Sequence, residues 1–215
     1  SAASDVYKRQ RERDVRRLIK WNFRERDYWI TLTYPKDYRP TWEEMKDHAG
    51  KLVRKMREKY KKQGWTLKYI YRLAIGSRGG RHIHILINRE SNEKTATDLI
   101  ITDLWEQQWG HGHVNFRTTY NEGGYKQLAE YLTKPLEEWE PDEVKRYHPS
   151  RNLIRKDPEV DEIKRRSLVD CDGTPRMPKA PKGYYVDPES IEVGINPITH
   201  YAYRHYTLIK IKKRE

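Results

Sequence analysis

The run Arg81-His82-Ile83-His84-Ile85-Leu86-Ile87 constrains this chain more than any other segment. Side chains alternate across a β-strand. In an extended backbone Ile83, Ile85 and Ile87 point one way, and His82 and His84 the other. The isoleucines then face a core while two imidazoles stand side by side on the opposite face. Two parallel imidazoles at that spacing suit one divalent metal ion. Taken alone, the same pattern also describes two surface histidines on a solvated face.

The chain has 215 residues, enough for one domain with extensions or for two small domains. Lys and Arg number 44 against 32 Asp and Glu, giving a net charge of +12. Mean hydropathy is −1.11, which predicts a small core and a large charged surface. A positive balance beside 16 Tyr and 7 Trp points to a polyanionic partner. Bases stack on aromatic rings while Lys and Arg follow phosphates. Cys171 is the single cysteine, so the sequence holds no intrachain disulfide, as expected of a cytoplasmic protein. No apolar run reaches the ~18 residues of a membrane span, so no membrane partner is expected.

Residues 1–10 read as a non-native leader. From Lys8 to Arg26 the chain is dense in cations, with Val15, Leu18 and Ile19 as sparse apolar points: a short helix or a basic arm. Tyr28 to Tyr34 reads as a strand stopped by Pro35. Thr41-Trp42-Glu43-Glu44 forms a capping box, followed by an apolar stripe from Trp42 through Tyr60 at spacings of three and four. Leu67 to Ile75 predicts a second strand, and Gly76-Ser77-Arg78-Gly79-Gly80 a hairpin connection into the His-Ile-His strand. Thr95 to Trp109 predicts a helix, His113 to Thr118 a strand, and Asn121 to Lys134 a helix ended by Pro135. Beyond residue 140 the chain becomes proline-rich, with a late strand expected between Tyr203 and Ile211.

On the Asn121–Lys134 helix, Tyr125, Leu128, Ala129 and Leu132 form one apolar stripe. Gln127, Tyr131 and Lys134 cluster on another side. Tyr131 and Lys134, three apart, are surface neighbours. A core role is natural for Tyr125 and poor for Tyr131.

In order along the chain these parts resemble the HUH endonuclease superfamily, and within it the rolling-circle replication initiators of bacterial mobile elements, plasmids and phages. Ile30-Thr31-Leu32-Thr33-Tyr34 resembles the first strand motif, Arg81-His82-Ile83-His84 the metal motif, and Tyr131-Leu132-Thr133-Lys134 the nucleophile motif. Ser150-Arg151-Asn152-Leu153 and Pro181-Lys182-Gly183-Tyr184-Tyr185 are similar to tails of initiators from Gram-positive mobile elements.

The resemblance implies a site-specific endonuclease and ligase acting on single-stranded DNA at an origin hairpin. Tyr131 would attack the phosphodiester and stay joined to the 5′ phosphate, with Lys134 supplying positive charge. His82 and His84 would bind Mg²⁺ or Mn²⁺. Many members of the superfamily carry a glutamate ligand on the strand before the histidines, but Tyr71-Arg72-Leu73-Ala74-Ile75 has no carboxylate. Gln127, one turn before Tyr131, is the first candidate for a third ligand, with His111, His113 and Glu130 as others. Arg78 and Arg81, flanking the glycine turn, are candidate phosphate contacts. Tyr125, on the apolar stripe, is the weaker choice of nucleophile.

The expected fold is α+β: a central antiparallel sheet, ferredoxin-like, with helices packed against one face. Residues 11–140 would form the endonuclease domain and 141–215 an irregular extension. A helicase of the host or the element would be a further partner. The alternatives are a relaxase, a single-tyrosine transposase, or a non-catalytic nucleic-acid platform. The last of these predicts DNA binding indifferent to metal and to Tyr131→Phe.

Overall fold

Tyr28–Thr33 (β1) is aromatic and β-branched for most of its length, and its residues are alternately buried and half-exposed. It is the second strand of a five-stranded sheet in a computed structural model that describes residues 2–120, 122–142, 145–157, 159, 161–162 and 168–211. The other strands are Tyr69–Ile75 (β2), Arg81–Ile87 (β3), His113–Thr118 (β4) and the two-residue His148–Pro149 (β5). Their order is β4-β1-β3-β2-β5, and every neighbouring pair is antiparallel. The expected α+β fold with a central antiparallel sheet is therefore present.

Register converts the alternation into two faces. On one face three rungs cross the sheet. The first is Arg117-Trp29-Leu86-Ile70, the second Asn115-Thr31-His84-Arg72, the third His113-Thr33-His82-Ala74. The other face carries Tyr28, Ile30, Leu32, Leu73, Ile83, Ile85 and Ile87, all buried. Trp42–Lys62 (α2) packs there through Met45, Leu52, Met56 and Tyr60. Its start is fixed by the Thr41 capping box: the Glu44 N–H donates to Thr41 Oγ1 at 3.2 Å, and the Thr41 N–H to Glu44 Oε2 at 2.7 Å. Thr97–Thr102 (α3) joins this layer and runs on as a π-helical turn, Asp103–Gln108, with Trp105 fully buried.

The expectation that helices cover one face needs correction. Ala2–Asn22 (α1) and Lys126–Thr133 (α4) pack on the histidine face. Val15, Leu18, Ile19 and Phe23, on and just after α1, meet Ala129 and Leu132 of α4 above Ile70 and Leu86. The reason lies in the first rung, whose apolar Trp29, Leu86 and Ile70 must be taken out of water. The polar second and third rungs need no such cover. Thus the segment left open between helix and basic arm is a helix. The Asn121–Lys134 helix is shorter than expected: Glu122–Tyr125 is a 3₁₀ turn, and Tyr125 has φ +62°, so α4 begins at Lys126. Asn121 itself lies outside the described residues, as does Ser1 of the leader.

The first compact unit ends at Arg155. Residues 145–155 contribute to it: β5 extends the sheet, Leu153 is buried among the α1 and α4 side chains, and Asn22 clasps the chain at Ile154. The Ile154 N–H donates to Asn22 Oδ1 at 2.7 Å, and Asn22 Nδ2 donates to the Ile154 carbonyl at 2.8 Å. The second unit, 156–215, holds two antiparallel ribbons. Tyr184–Val186 (β6) pairs with Leu208–Lys210 (β9), and Glu192–Ile195 (β7) with Ala202–His205 (β8). The late strand expected over Tyr203–Ile211 is thus two strands broken at Tyr206-Thr207. No helix among the described residues is long and apolar enough to cross a membrane.

Candidate active site

His82 and His84 share the polar part of the sheet face, as strand alternation predicts, with ring centres 6.0 Å apart. His84 Nδ1 lies 3.2 Å from Thr31 Oγ1, its neighbour across the second rung. The His84 ring stacks on Trp29 at 5.6 Å with 10° between planes. Burial pushes its pKa down to about 4, helped by the positive potential of His82 and Arg72. His82 packs under the glycine turn, where a side chain at Gly80 would come within 3.2 Å of Nε2. Burial lowers its pKa too, and its buried Nδ1 has no hydrogen-bond partner. Both imidazoles are therefore neutral near pH 7, the form that ligates metal.

Tyr131 projects from α4 over the same rungs. Its ring meets His84 edge-on at 5.0 Å and Trp29 at 5.6 Å. Burial raises the phenol to about 12, opposed by Arg72 and reinforced by Glu140. The packing of α4 on the sheet thus brings together His82, His84 and Tyr131, although Tyr131 lies far along the chain from both.

Arg72 is the residue that sequence reasoning passed over. It is 3% exposed and lies opposite His84 in the β2–β3 register. Its Nη1 donates to the carbonyls of Tyr131, Leu132 and Lys134 at 3.0, 3.2 and 2.7 Å, and Nη2 to that of Pro135 at 3.3 Å. These are the carbonyls at a helix C-terminus, which lack intrahelical partners and carry partial negative charge. A lone arginine inside an apolar strand was the available signal: burying that charge requires acceptors.

The other predicted residues divide. Lys134 Nζ is paired with Glu137 and half-exposed, so the cation at the Tyr131 ring is Arg72, with Cζ 5.6 Å from the ring centre. Gln127 and Glu130 are exposed and line one groove with Tyr131 and Lys134. Arg81 shares the parity of Ile83 and so faces away from the histidines; its guanidinium donates to the carbonyls of Pro40 and Gly79. Arg78 is exposed at the turn. His113 falls on the third rung, exposed, 3.8 Å from Glu106. His111 belongs to a different cluster, stacked on His48 at 4.1 Å beside Tyr34 and Trp105. Tyr125 is buried in the α1–α4 core.

The chain after α4, rather than β2, brings a buried carboxylate to this end of the sheet. Glu140 is 8% exposed, and its oxygens accept from the N–H groups of Ile75 at 2.7 Å and Glu137 at 2.9 Å. Among the described residues no three His, Cys, Asp or Glu side chains are grouped so as to hold a metal ion. The donor set that fits a metal is therefore two neutral imidazoles, one of them with an unpartnered buried nitrogen.

Among known proteins, no curated sequence and no solved structure matches the chain. The family model for Replication-associated protein ORF2 matches residues 27–136, half of the chain and the part that contains β1 to β4, both histidines and Tyr131. The chain therefore belongs to the Replication-associated protein ORF2 family, a family of rolling-circle replication initiators.

Proposed function

We propose that this protein is an HUH-type endonuclease that nicks single-stranded DNA at a replication origin and rejoins it through a tyrosine intermediate. The observation that carries the reading is the edge-on contact of Tyr131 with His84, 5.0 Å between rings, on the face that His82 shares.

The Tyr131 oxygen attacks phosphorus, the bond from phosphorus to the 3′ oxygen breaks, and a 5′-phosphotyrosine forms. The phenol gives up one proton and the leaving 3′ oxygen takes one, so the step is proton-neutral. A 3′ hydroxyl reverses it without ATP, because the phosphotyrosine keeps a diester linkage. Arg72 fixes the end of α4 and so the height of Tyr131 above the sheet. Its charge favours the phenolate that burial disfavours. Trp29 and Thr31 hold the His84 ring in one orientation.

His82 and His84 would hold Mg²⁺ or Mn²⁺, which neutralises charge on a non-bridging phosphate oxygen. Two imidazoles alone bind such hard ions weakly. Gln127, on the groove wall beside Tyr131, is the proposed additional ligand. Single-stranded DNA beside an origin hairpin is the proposed substrate, with a helicase of the host or the element acting downstream in the cytoplasm.

The test is an adduct assay. The protein is incubated with a randomised single-stranded DNA library and Mn²⁺, and an SDS-resistant shift is sought. The expected shift disappears with EDTA and in Tyr131→Phe. Tight DNA binding without a shift, on linear and hairpin pools alike, would overturn the nicking reading in favour of a binding platform.

A further inference from the structure

A second cationic surface lies at the far edge of the sheet, outside the site just described. Arg11 of α1, Lys145, Arg146 and Tyr147 before β5, and Arg151 and Arg155 after it line one groove of about 630 Å³. Three separate stretches of chain bring five cations together there, and no lining residue is acidic. Elsewhere cations sit beside carboxylates: Lys46 with Glu43, Lys55 with Glu58, Arg176 with Asp170. Asp14, close enough to act on Tyr147, is itself engaged by Gln10 at 3.1 Å and Arg17 at 3.6 Å.

Folding alone gives no reason to gather like charges, which repel at this range. A phosphate backbone supplies the missing anions and releases its counterions on binding. The groove also connects to the nucleophile. Arg146 Nη1 donates to the Thr133 carbonyl at 2.8 Å, two residues from Tyr131. A strand leaving Tyr131 past the end of α4 therefore reaches these cations next.

The geometry points to a second DNA-binding site in this groove, one that takes the phosphate backbone flanking the nick rather than the reacting phosphate. This inference rests on the proposed nicking function for its choice of DNA as the polyanion. The backbone in the groove is either the single strand itself or the stem of a hairpin.

The test measures affinity against salt concentration in the full chain carrying Tyr131→Phe, so that binding is read apart from the chemistry. Two probes are used, an unstructured single strand and the same strand with a hairpin flank. Arg151→Glu with Arg155→Glu should weaken binding about tenfold and flatten the slope of log K against log salt by about 2, at about 0.9 for each phosphate no longer neutralised. Arg11→Glu with Lys145→Glu should do the same, which guards against a folding defect in the first pair. Lys46→Glu with Lys55→Glu changes net charge equally on the opposite layer and should leave the slope in place.

Loss confined to the hairpin probe assigns the groove to duplex phosphates, and equal loss on both assigns it to the single strand. No loss from either groove pair, or the same loss from the α2 pair, overturns the proposal. If the groove result holds while wild-type protein forms no adduct, the nicking function fails and the groove stands.

Discussion

Arg72 and Tyr131 are joined twice: the guanidinium donates to the Tyr131 carbonyl at 3.0 Å, and its Cζ stands 5.6 Å from the centre of the phenol ring. The same fork holds the carbonyls of Leu132, Lys134 and Pro135. Arg72→Ala would leave these acceptors without their donor and open a cavity between sheet and helix. A loss of about 2–4 kcal/mol is expected from urea denaturation. Arg72→Lys keeps the charge but not the planar fork, so it should fall between Ala and the native residue. If Arg72→Ala costs under about 1 kcal/mol, Arg72 is not what anchors the end of α4.

Gln127 shares a groove with Tyr131 and is exposed, so Gln127→Ala should leave stability unchanged within about 0.5 kcal/mol. If Gln127 completes the metal site, the Mn²⁺ concentration for half-maximal adduct should rise about tenfold. An unchanged Mn²⁺ requirement would dismiss it as a ligand.

His48 and His111 stack with ring centres 4.1 Å apart, and His111 Nε2 is buried without a partner. Burial lowers both pKa values, that of His111 to about 4, where the charge of His48 adds to the effect. The folded state thus prefers neutral rings, while the unfolded chain takes up protons near the ordinary histidine value of about 6.5. Stability from this pair is fully present above about pH 6.5 and is lost as pH falls toward about 4. Melting temperature should drop over that window. His111→Phe, which cannot charge, should flatten the drop; an identical pH profile in the variant would place the acid sensitivity elsewhere.

Gly112 lies against β1 with φ +135°, and a Cβ built there would fall 2.1 Å from the Thr33 carbonyl oxygen. Neither the backbone conformation nor the space admits a side chain. Gly112→Ala should cost about 2–4 kcal/mol, the sum of strain and displaced backbone. Because Thr33 pairs with both His82 and His113, the variant should also broaden NMR signals of the His82 ring. A variant as stable as wild type would mean that the β1–β4 junction yields freely.

The strands, the α2 stripe with its capping box and the two-histidine face were legible in the sequence because each is local: the period of side chains fixes which residues share a face. The segregation of Tyr125 to the core and Tyr131 to another side followed from the same periodicity along one helix. What covers each face was not legible. The first rung, Trp29, Leu86 and Ile70, is apolar only once three strands are in register, and it is that rung which seats α1 and α4 opposite α2.

Tertiary structure alone also chose the charge beside the nucleophile. Lys134 is the neighbour in sequence, but its ammonium turns to Glu137, while Arg72 arrives from β2 to satisfy carbonyls that end α4. Glu140 reaches the end of β2 by a similar return of the chain. Periodicity says which way a side chain faces; partners distant in sequence are settled by how elements pack. A buried charge must find its acceptors in that packing, so Arg72 could be assigned only after sheet and helix had met.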